Sequence, residues 1–541
     1  MVGAGSKLQK HFQDLNDSFG QATCEDLKLL EQDKVAADLH AAVAACIQQQ
    51  YSAALAPAHA VVQAAWEVLQ QTGWDHPAWR EAYSLGQLCL AAAYTIPEQI
   101  TEASAGTPTL SATTDRVADS RAAQYEMPHT ALPAETPLSD AIQSSPSALM
   151  HLKLPYKDTQ TDSLPGVARP HSYRQGTNEW GCFTEDSSRA ADPQNSSLKK
   201  TSPELASPTM KAMQALDLAS IMGAPTEMLV PILSRTEPLA RQAHQASLAQ
   251  QNSHGLQQIH TALPTDLTSQ QQEDPFSCAT IPSTLPEDLP HLDPDKLVAR
   301  RNAAELTAAE FKRLYWKTDT PVIITGAMQN WKAMQKWPSL QWWSQNHGHR
   351  TIPVELGTDS TQAWRETTML LHAFMKGYMH PSIESQPDAE VAYIAQHPLF
   401  DQMPSLLSDF DQPELMGGKA MQMNAWVGTK GTVTPLHFDS YDNFLAQVGG
   451  SKFVRLYNRQ QSRLLYVDTA EAGHSAMRAT RAQGNISAVN VEHPDLEKHP
   501  HFVHAKYLEC ILCPGEMLFI PAKCWHYVRS LSPAVSLNFW Y

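Results

Sequence analysis

His437 and Asp439 stand two residues apart in Thr434-Pro435-Leu436-His437-Phe438-Asp439, and residues two apart on a strand face the same side. His526 closes the stretch Pro514-Gly515-Glu516-Met517-Leu518-Phe519-Ile520-Pro521-Ala522-Lys523-Cys524-Trp525-His526. There Pro514-Gly515 suits a turn and Met517 to Ile520 a strand, so a barrel folding back brings His526 beside the first pair. Two imidazoles and one carboxylate on one face leave three coordination positions open, the donor set of non-haem Fe(II) centres. Imidazole also takes zinc, which the Irving–Williams order favours over iron, so the ligand types alone leave the metal open.

Lys452 follows Gly449-Gly450-Ser451 and opens a second apolar run. A buried ammonium there requires an anion. The far carboxylate of 2-oxoglutarate fits, with its 2-oxoacid end filling two open metal positions and O2 the third. By itself a His-x-Asp pair is common, and His437 and His526 can instead be hydrogen-bonded core residues. The strand–turn–strand setting, with Lys452 between the two halves, favours the metal centre.

The elements that must position these residues are short strands. Pro321 to Ile324, Met421 to Val427, Asn443 to Val448, Lys452 to Tyr457, Glu516 to Pro521 and Ala534 to Tyr541 are rich in β-branched and aromatic residues. Gly449-Gly450-Ser451 supplies a hairpin turn between two of them. Many short strands joined by turns predict an all-β core with helices packed outside, over residues 286–541.

Residues 1–96 read as a small helical region. Val35, Leu39, Val43 and Ile47 recur every fourth position, with Gln48 to Gln50 closing the helix. Val61, Val62, Ala65, Trp66 and Leu69 form a second apolar stripe. Asp75 and Pro77 start a third helix, which is expected to bury Trp79, Tyr83, Leu88 and Leu90. The region holds no concentration of titratable groups and is expected to dock a partner or stabilise the chain. From 97 to 285 the composition turns to Ser, Thr, Pro, Ala and Gln, which predicts a disordered linker. Met210 to Met222 is the one amphipathic piece in it, and Ser202-Pro203 and Ser207-Pro208 are candidate phosphorylation sites.

The 541 residues carry 40 Lys plus Arg against 56 Asp plus Glu, a net charge of −16. That balance excludes a broad nucleic-acid platform. No apolar run approaches the ~18 residues of a membrane span, and Met1 to Lys10 has no signal-peptide centre, so a soluble intracellular protein is expected. Cys510, Cys513 and Cys524 are expected to pack as free thiols, because a structural zinc site needs a second ordered pair. Arg300-Arg301 and Lys199-Lys200 are too short for a nuclear signal.

At His437, Asp439 and His526 the chain resembles the JmjC family of Fe(II)- and 2-oxoglutarate-dependent oxygenases. The resemblance is carried by Ala395-Gln396-His397-Pro398-Leu399-Phe400-Asp401-Gln402, Asn424-Ala425-Trp426, Lys452-Phe453-Val454-Arg455-Leu456-Tyr457, Val491 to Lys498 and Phe519-Ile520-Pro521. It extends from Ala299 to Tyr541, and more faintly through Ala65-Trp66-Glu67 to Trp79 and Tyr83. It implies a double-stranded β-helix, the cupin-like JmjC jelly roll, with Fe(II) on His437, Asp439 and His526. It also assigns 2-oxoglutarate contacts to Tyr393, Thr434, Asn443, Lys452 and Trp540, and substrate contacts to Glu355, Trp364 and Trp426. A carboxylate and an indole suit a guanidinium or ammonium.

The resemblance implies a protein or peptide substrate, either arginine to be hydroxylated or methyl-lysine, such as that of histone H3, to be demethylated. It further implies nuclear residence with a cytoplasmic pool, and a role in transcription or circadian timing as in plant relatives. The chain departs from the family at Phe438, at the longer Glu471 to Gly484 stretch, and in its long linker. Two rival classes are a non-catalytic scaffold recruiting partners through the helices and linker, and a small-molecule cupin enzyme with another metal. The intact triad and Lys452 argue against both.

Overall fold

The computed structural model describes residues 2–17, 23–24, 26–27, 32–72, 76–105, 207–224, 226–260, 279–357, 365–384, 386, 389–467 and 485–541. Trp364, Ser202-Pro203, Lys199-Lys200, the Glu471 to Gly484 stretch and most of the expected linker lie outside the described residues.

The N-terminal helices are α1 (Val2–Leu15), α2 (Asp33–Ile47), α3 (Tyr51–Thr72) and α4 (Pro77–Ala105). Val35, Leu39 and Val43 of α2 are buried, as the i, i+4 spacing requires, and Gln49 leaves the helix at φ +60°. Trp79, Tyr83, Leu88 and Leu90 of α4 are buried as well.

The structure differs from the expected linker between 207 and 260. That stretch forms α5 (Pro208–Ile221) and α6 (Thr226–His260), both packed against the first helices. Ser207 is used as an N-cap, its Oγ accepting from Met210 N at 3.2 Å, with Pro208 in the first turn. Met210, Met213, Leu216 and Ala219 bury one face of α5 in the same apolar cluster as Leu88 and Trp79. Arg80 of α4 donates from Nε and Nη2 to the Met222 carbonyl, at 3.1 and 2.9 Å, and so satisfies the C-terminal end of α5. The amphipathic piece Met210 to Met222 does form a helix, with Met210, Met213 and Leu216 buried, but it is packed rather than part of a linker, and the composition gives no sign of α6 or of the distant residues that cover both.

The rest of the chain is the expected β core. Its strands are β1 (Arg300–Asn302), β2 (Val322–Thr325), β3 (Thr351–Leu356), β4 (Arg365–Leu370), β5 (Ala392–His397), β6 (Gln422–Gly428) and β7 (Val433–His437). They continue as β8 (Asn443–Gly449), β9 (Lys452–Tyr457), β10 (Tyr507–Leu512), β11 (Glu516–Ile520), β12 (Trp525–Ser530) and β13 (Ala534–Trp540). One sheet has the order β1-β2-β11-β8-β13-β6-β5-β3-β4, and the facing sheet has the order β10-β9-β12-β7. Three helices bear on the large sheet's surroundings: α7 (Leu340–His347), α8 (Leu371–Gly377) and α9 (Leu399–Gln402).

The central strands of the large sheet are buried along their length, β8 and β13 throughout, whereas the edge strands β1 and β4 are mostly exposed or half-buried. In β8, Phe444, Ala446 and Val448 join the outer cluster with Trp337, Trp343 and Phe374. Leu445 points the other way, into the layer between the sheets with Ile323, Val454, Leu518 and Ile520. The β8–β9 hairpin requires its central glycine. Gly450 has φ +69°, and a Cβ there would stand 2.0 Å from the Pro533 carbonyl oxygen. This turn delivers Lys452 to the inside of the roll.

Candidate metal and cosubstrate site

β7 and β12 pair antiparallel with His437 directly opposite His526. The two imidazole centroids are 4.1 Å apart. Asp439 lies just beyond the end of β7, where its backbone oxygen accepts from Lys523 N at 2.7 Å. Its carboxylate oxygens stand 3.7 Å from His437 Nε2 and 3.8 Å from His526 Nε2. Two ligands at ~2.1 Å from a shared ion can be at most ~4.2 Å apart, so these separations suit one ion. Phe438, between the two ligands, packs outward against Trp525 at 4.8 Å.

Each histidine is held in one tautomer by the backbone. Nδ1–H of His437 donates to Pro435 O at 2.8 Å, and Nδ1–H of His526 donates to Cys524 O at 3.0 Å. Both Nε2 lone pairs therefore remain for coordination. Burial, with His437 as a neighbour, lowers the pKa of His526 to about 4, keeping it neutral as a ligand must be.

Lys452 is 2% exposed, and among the described residues no carboxylate lies within ion-pair distance of it. Burial alone lowers its pKa to about 7. Its Nζ is 3.5 Å from Tyr393 Oη. The Tyr393 phenol is pushed up by burial, with Thr434 in hydrogen-bond contact and Glu355 close enough to add to the rise. A buried ammonium beside a phenol, with the Thr434 hydroxyl lining the same pocket, is a donor set for a carboxylate. The donor set thus fits a metal at one end of the pocket and an anionic cosubstrate at the other.

Tyr393, Thr434, Asn443, Lys452, Trp426 and Trp540 line a single pocket together with the triad. Glu355 sits at its margin, paired across the ladder with Tyr393. Trp540 is stacked on Tyr441, with ring centroids 5.6 Å apart. Cys510 and Cys524 are buried elsewhere, in the layer between the sheets, where burial raises both thiols.

A Cupin-like domain model matches residues 308–541. JmjC domain-containing protein F of Dictyostelium discoideum is 36% identical over 278 residues, covering 43% of this chain and 59% of that protein. Lysine-specific demethylase 8 of Danio rerio is 35% identical over 338 residues, covering 61% of this chain and 74% of that protein. The chain belongs to the JmjC family. Lysine-specific demethylase JMJ30 of Arabidopsis thaliana is 37% identical over 252 residues, 46% of this chain and 55% of that protein. The chain thus spans less than two thirds of the Dictyostelium and Arabidopsis relatives.

Sequence reasoning left two polar lining residues of the JmjC pocket without a role. Asn538 accepts from Trp426 Nε1 at 2.9 Å and donates to Asn443 Oδ1 at 3.1 Å, linking three positions of the wall. Its signal is the alternation in β13, where Val535, Leu537 and Phe539 enter the outer cluster and Ser536, Asn538 and Trp540 face the other way. Gln396 also lines the pocket, at φ +46° where the β5–β6 register shifts. No sequence signal marks a bulge at that position.

Proposed function

We propose that this JmjC protein is an Fe(II)- and 2-oxoglutarate-dependent oxygenase that oxidises a cationic side chain of a protein. The observation that carries the reading is the pairing of two backbone-oriented histidines and Asp439 with an uncompensated buried Lys452 in one pocket. His437, Asp439 and His526 would hold iron. Lys452, Tyr393 and Thr434 would bind the distal carboxylate of 2-oxoglutarate, with Asn443 and Trp540 on the same wall. Iron held there would let O2 act as the oxidant, one oxygen atom converting a substrate C–H to C–OH and the other entering succinate as 2-oxoglutarate, the two-electron co-reductant, loses CO2.

The chain's own residues do the rest. Pro435 and Cys524 carbonyls fix the two imidazoles, so the ligands need no reorganisation. Lys452 orients the cosubstrate, and the apolar wall of Leu445, Ile520 and Val528 keeps water from its shaft. Glu355, with Trp426 nearby and Trp364 in the expectation from resemblance, would receive a guanidinium or ammonium. Glu355 favours arginyl hydroxylation, since a carboxylate pairs with a planar guanidinium in two hydrogen bonds. Demethylation of methyl-lysine is the second reading, supported by the names of the Danio and Arabidopsis relatives. A nuclear site of action belongs to the same proposal and rests on resemblance.

The test is mass spectrometry of peptides after incubation of Fe(II)-loaded protein with 2-oxoglutarate and O2. Arginine peptides gaining one oxygen support the hydroxylase; methyl-lysine H3 peptides losing methyl, with formaldehyde, support the demethylase. His526→Ala is expected to lose iron and all turnover. Neither peptide change nor succinate from the wild type, with iron bound, would sink the oxygenase reading in favour of a scaffold.

A further inference from the structure

Among the described residues the helical layer meets the β core at several points, including His244 Nε2 with the Ser344 carbonyl at 3.0 Å, and the most connected of them is one buried carboxylate. Asp217 of α5 is fully buried. Its Oδ1 accepts from Arg350 Nε at 3.0 Å, Arg350 Nη2 at 2.6 Å and Gln402 Nε2 at 2.8 Å. Its Oδ2 accepts from the backbone N–H of Thr351 at 2.7 Å. Arg350, itself 1% exposed, also donates to the Gln402 carbonyl at 2.6 Å and to Glu237 of α6 at 3.3 Å. Gln402 Nε2 donates in addition to Thr351 O at 2.6 Å, while its Oε1 accepts from His397 Nε2, also at 2.6 Å.

These partners occupy particular places. Thr351 begins β3, His397 ends β5, and Gln402 ends α9. The direct β3–β5 ladder consists only of Glu355 opposite Tyr393 and Leu356 opposite Ala392. Toward the other end of the two strands, Gln396 sits at positive φ in a register shift, and no ladder pairs remain. The spacing there is carried by side chains, with the Asp217 carboxylate at their centre.

We propose that Asp217 is a positioning residue for the pocket: it sets the spacing of β3 and β5, and through them the placement of Glu355 against Tyr393. The helical layer is then a working part of the oxygenase rather than a detachable adaptor. The functional half of this inference rests on the oxygenase reading; the structural half does not. The iron ligands lie on the facing sheet, on and just beyond β7 and on β12, and are outside the network's reach.

Asp217→Asn in the full chain removes the charge with little change of shape. Amide hydrogen exchange is expected to rise at least tenfold across 351–356 and 392–397 while β8 and β13 keep wild-type protection. In anaerobic titration of the Fe(II)-loaded protein, half-saturation by 2-oxoglutarate is expected to rise about tenfold, with iron stoichiometry unchanged. Exchange that rises equally in all strands, or local loosening with unaltered 2-oxoglutarate binding, would overturn the proposal. If Asp217→Asn does not fold, Gln402→Met removes the side-chain bonds to Asp217, Thr351 O and His397, and with them the link to β5, while leaving the Asp217–Arg350 pair. It must then loosen 392–397 and weaken 2-oxoglutarate binding in the same pattern. A wild type that binds iron but never 2-oxoglutarate would instead overturn the oxygenase reading, and the exchange pattern would still decide the role of Asp217.

Discussion

Lys452 and Arg350 are both buried cations, at 2% and 1% exposure, and their surroundings are opposite. Arg350 is saturated: it is paired with Asp217 and Glu237, and the Gln402 carbonyl accepts from it as well. Its pKa is raised, because the paired carboxylates outweigh its burial. Lys452 has a phenol at 3.5 Å and no carboxylate partner among the described residues, and burial lowers it to about 7. A charge with its counter-ions in place is architecture. A charge with no carboxylate partner among the described residues, inside a pocket that also holds three metal-ligand candidates, fits the proposed anion site. Burial alone does not distinguish the two; the partner list does.

The sharpest way to break this comparison is to remove each cation. Arg350→Met leaves the Asp217 carboxylate buried with only neutral donors, and is expected to destabilise the fold by about 3–5 kcal/mol in denaturant unfolding. A loss below ~1 kcal/mol would take Arg350 out of the structural class. Lys452→Met is expected to do the reverse. Half-saturation by 2-oxoglutarate should rise about 100-fold, as for truncation of one partner of a buried ion pair. The ligand-free unfolding midpoint should hold or rise, since a desolvated ammonium is gone. A fall in stability like that of Arg350→Met would place the two lysine and arginine sites in one class.

Acid sharpens the architectural side. His347 and His349 border the Arg350 network, and burial, with Arg350 next, lowers them to about 3 and about 2. Their folded pKa values lie below the ordinary 6.5, so between 6.5 and those values the unfolded chain binds protons that the folded one does not. Stability is therefore full above pH 6.5 and falls as the pH drops. The expected loss is roughly 2 kcal/mol per histidine at pH 5. Equal unfolding free energies at pH 7 and pH 5 would contradict the burial of these rings.

Alkali sharpens the ligand side, with a smaller effect. With its folded pKa near 7, Lys452 sits below its ordinary 10.5. Its destabilising contribution is full below pH 7, and stability rises between 7 and 10.5 as the folded protein holds the neutral amine. A carboxylate ligand needs the charged form, so 2-oxoglutarate affinity should fall by up to about tenfold per pH unit above 7, with proton uptake on binding. Calorimetry in two buffers of different ionisation enthalpy measures that uptake. Zero uptake at pH 8 would mean that Lys452 is already charged in the free protein. Arg350, always protonated, contributes no such dependence.

Much of this molecule was legible before any coordinates. The His437-x-Asp439 spacing, the Gly449-Gly450-Ser451 turn and the apolar runs are local properties, set by strand period and by the φ that glycine permits. The helices around Val35, Val61 and Trp79 were legible for the same reason. In the expected linker the Met210 to Met222 stripe was legible as amphipathic, but its packing and the whole of α6 were not. The apolar face of α5 is short, and its meaning depends on α4, more than a hundred residues away. Asp217, read alone, is one acid in a modest helix.

By itself the chain determined which residues can bind a metal, which turn delivers Lys452, and that many of the short apolar runs form a β core with helices outside. The tertiary structure decided that Lys452 has no carboxylate partner while Arg350 has two. It also decided that Asn538 joins Trp426 to Asn443, and that Asp217, on a helix from the expected linker, binds Arg350, Thr351 N and Gln402. These are long-range pairings of side chains. Their energies depend on which groups are excluded from water together, and no local pattern encodes that.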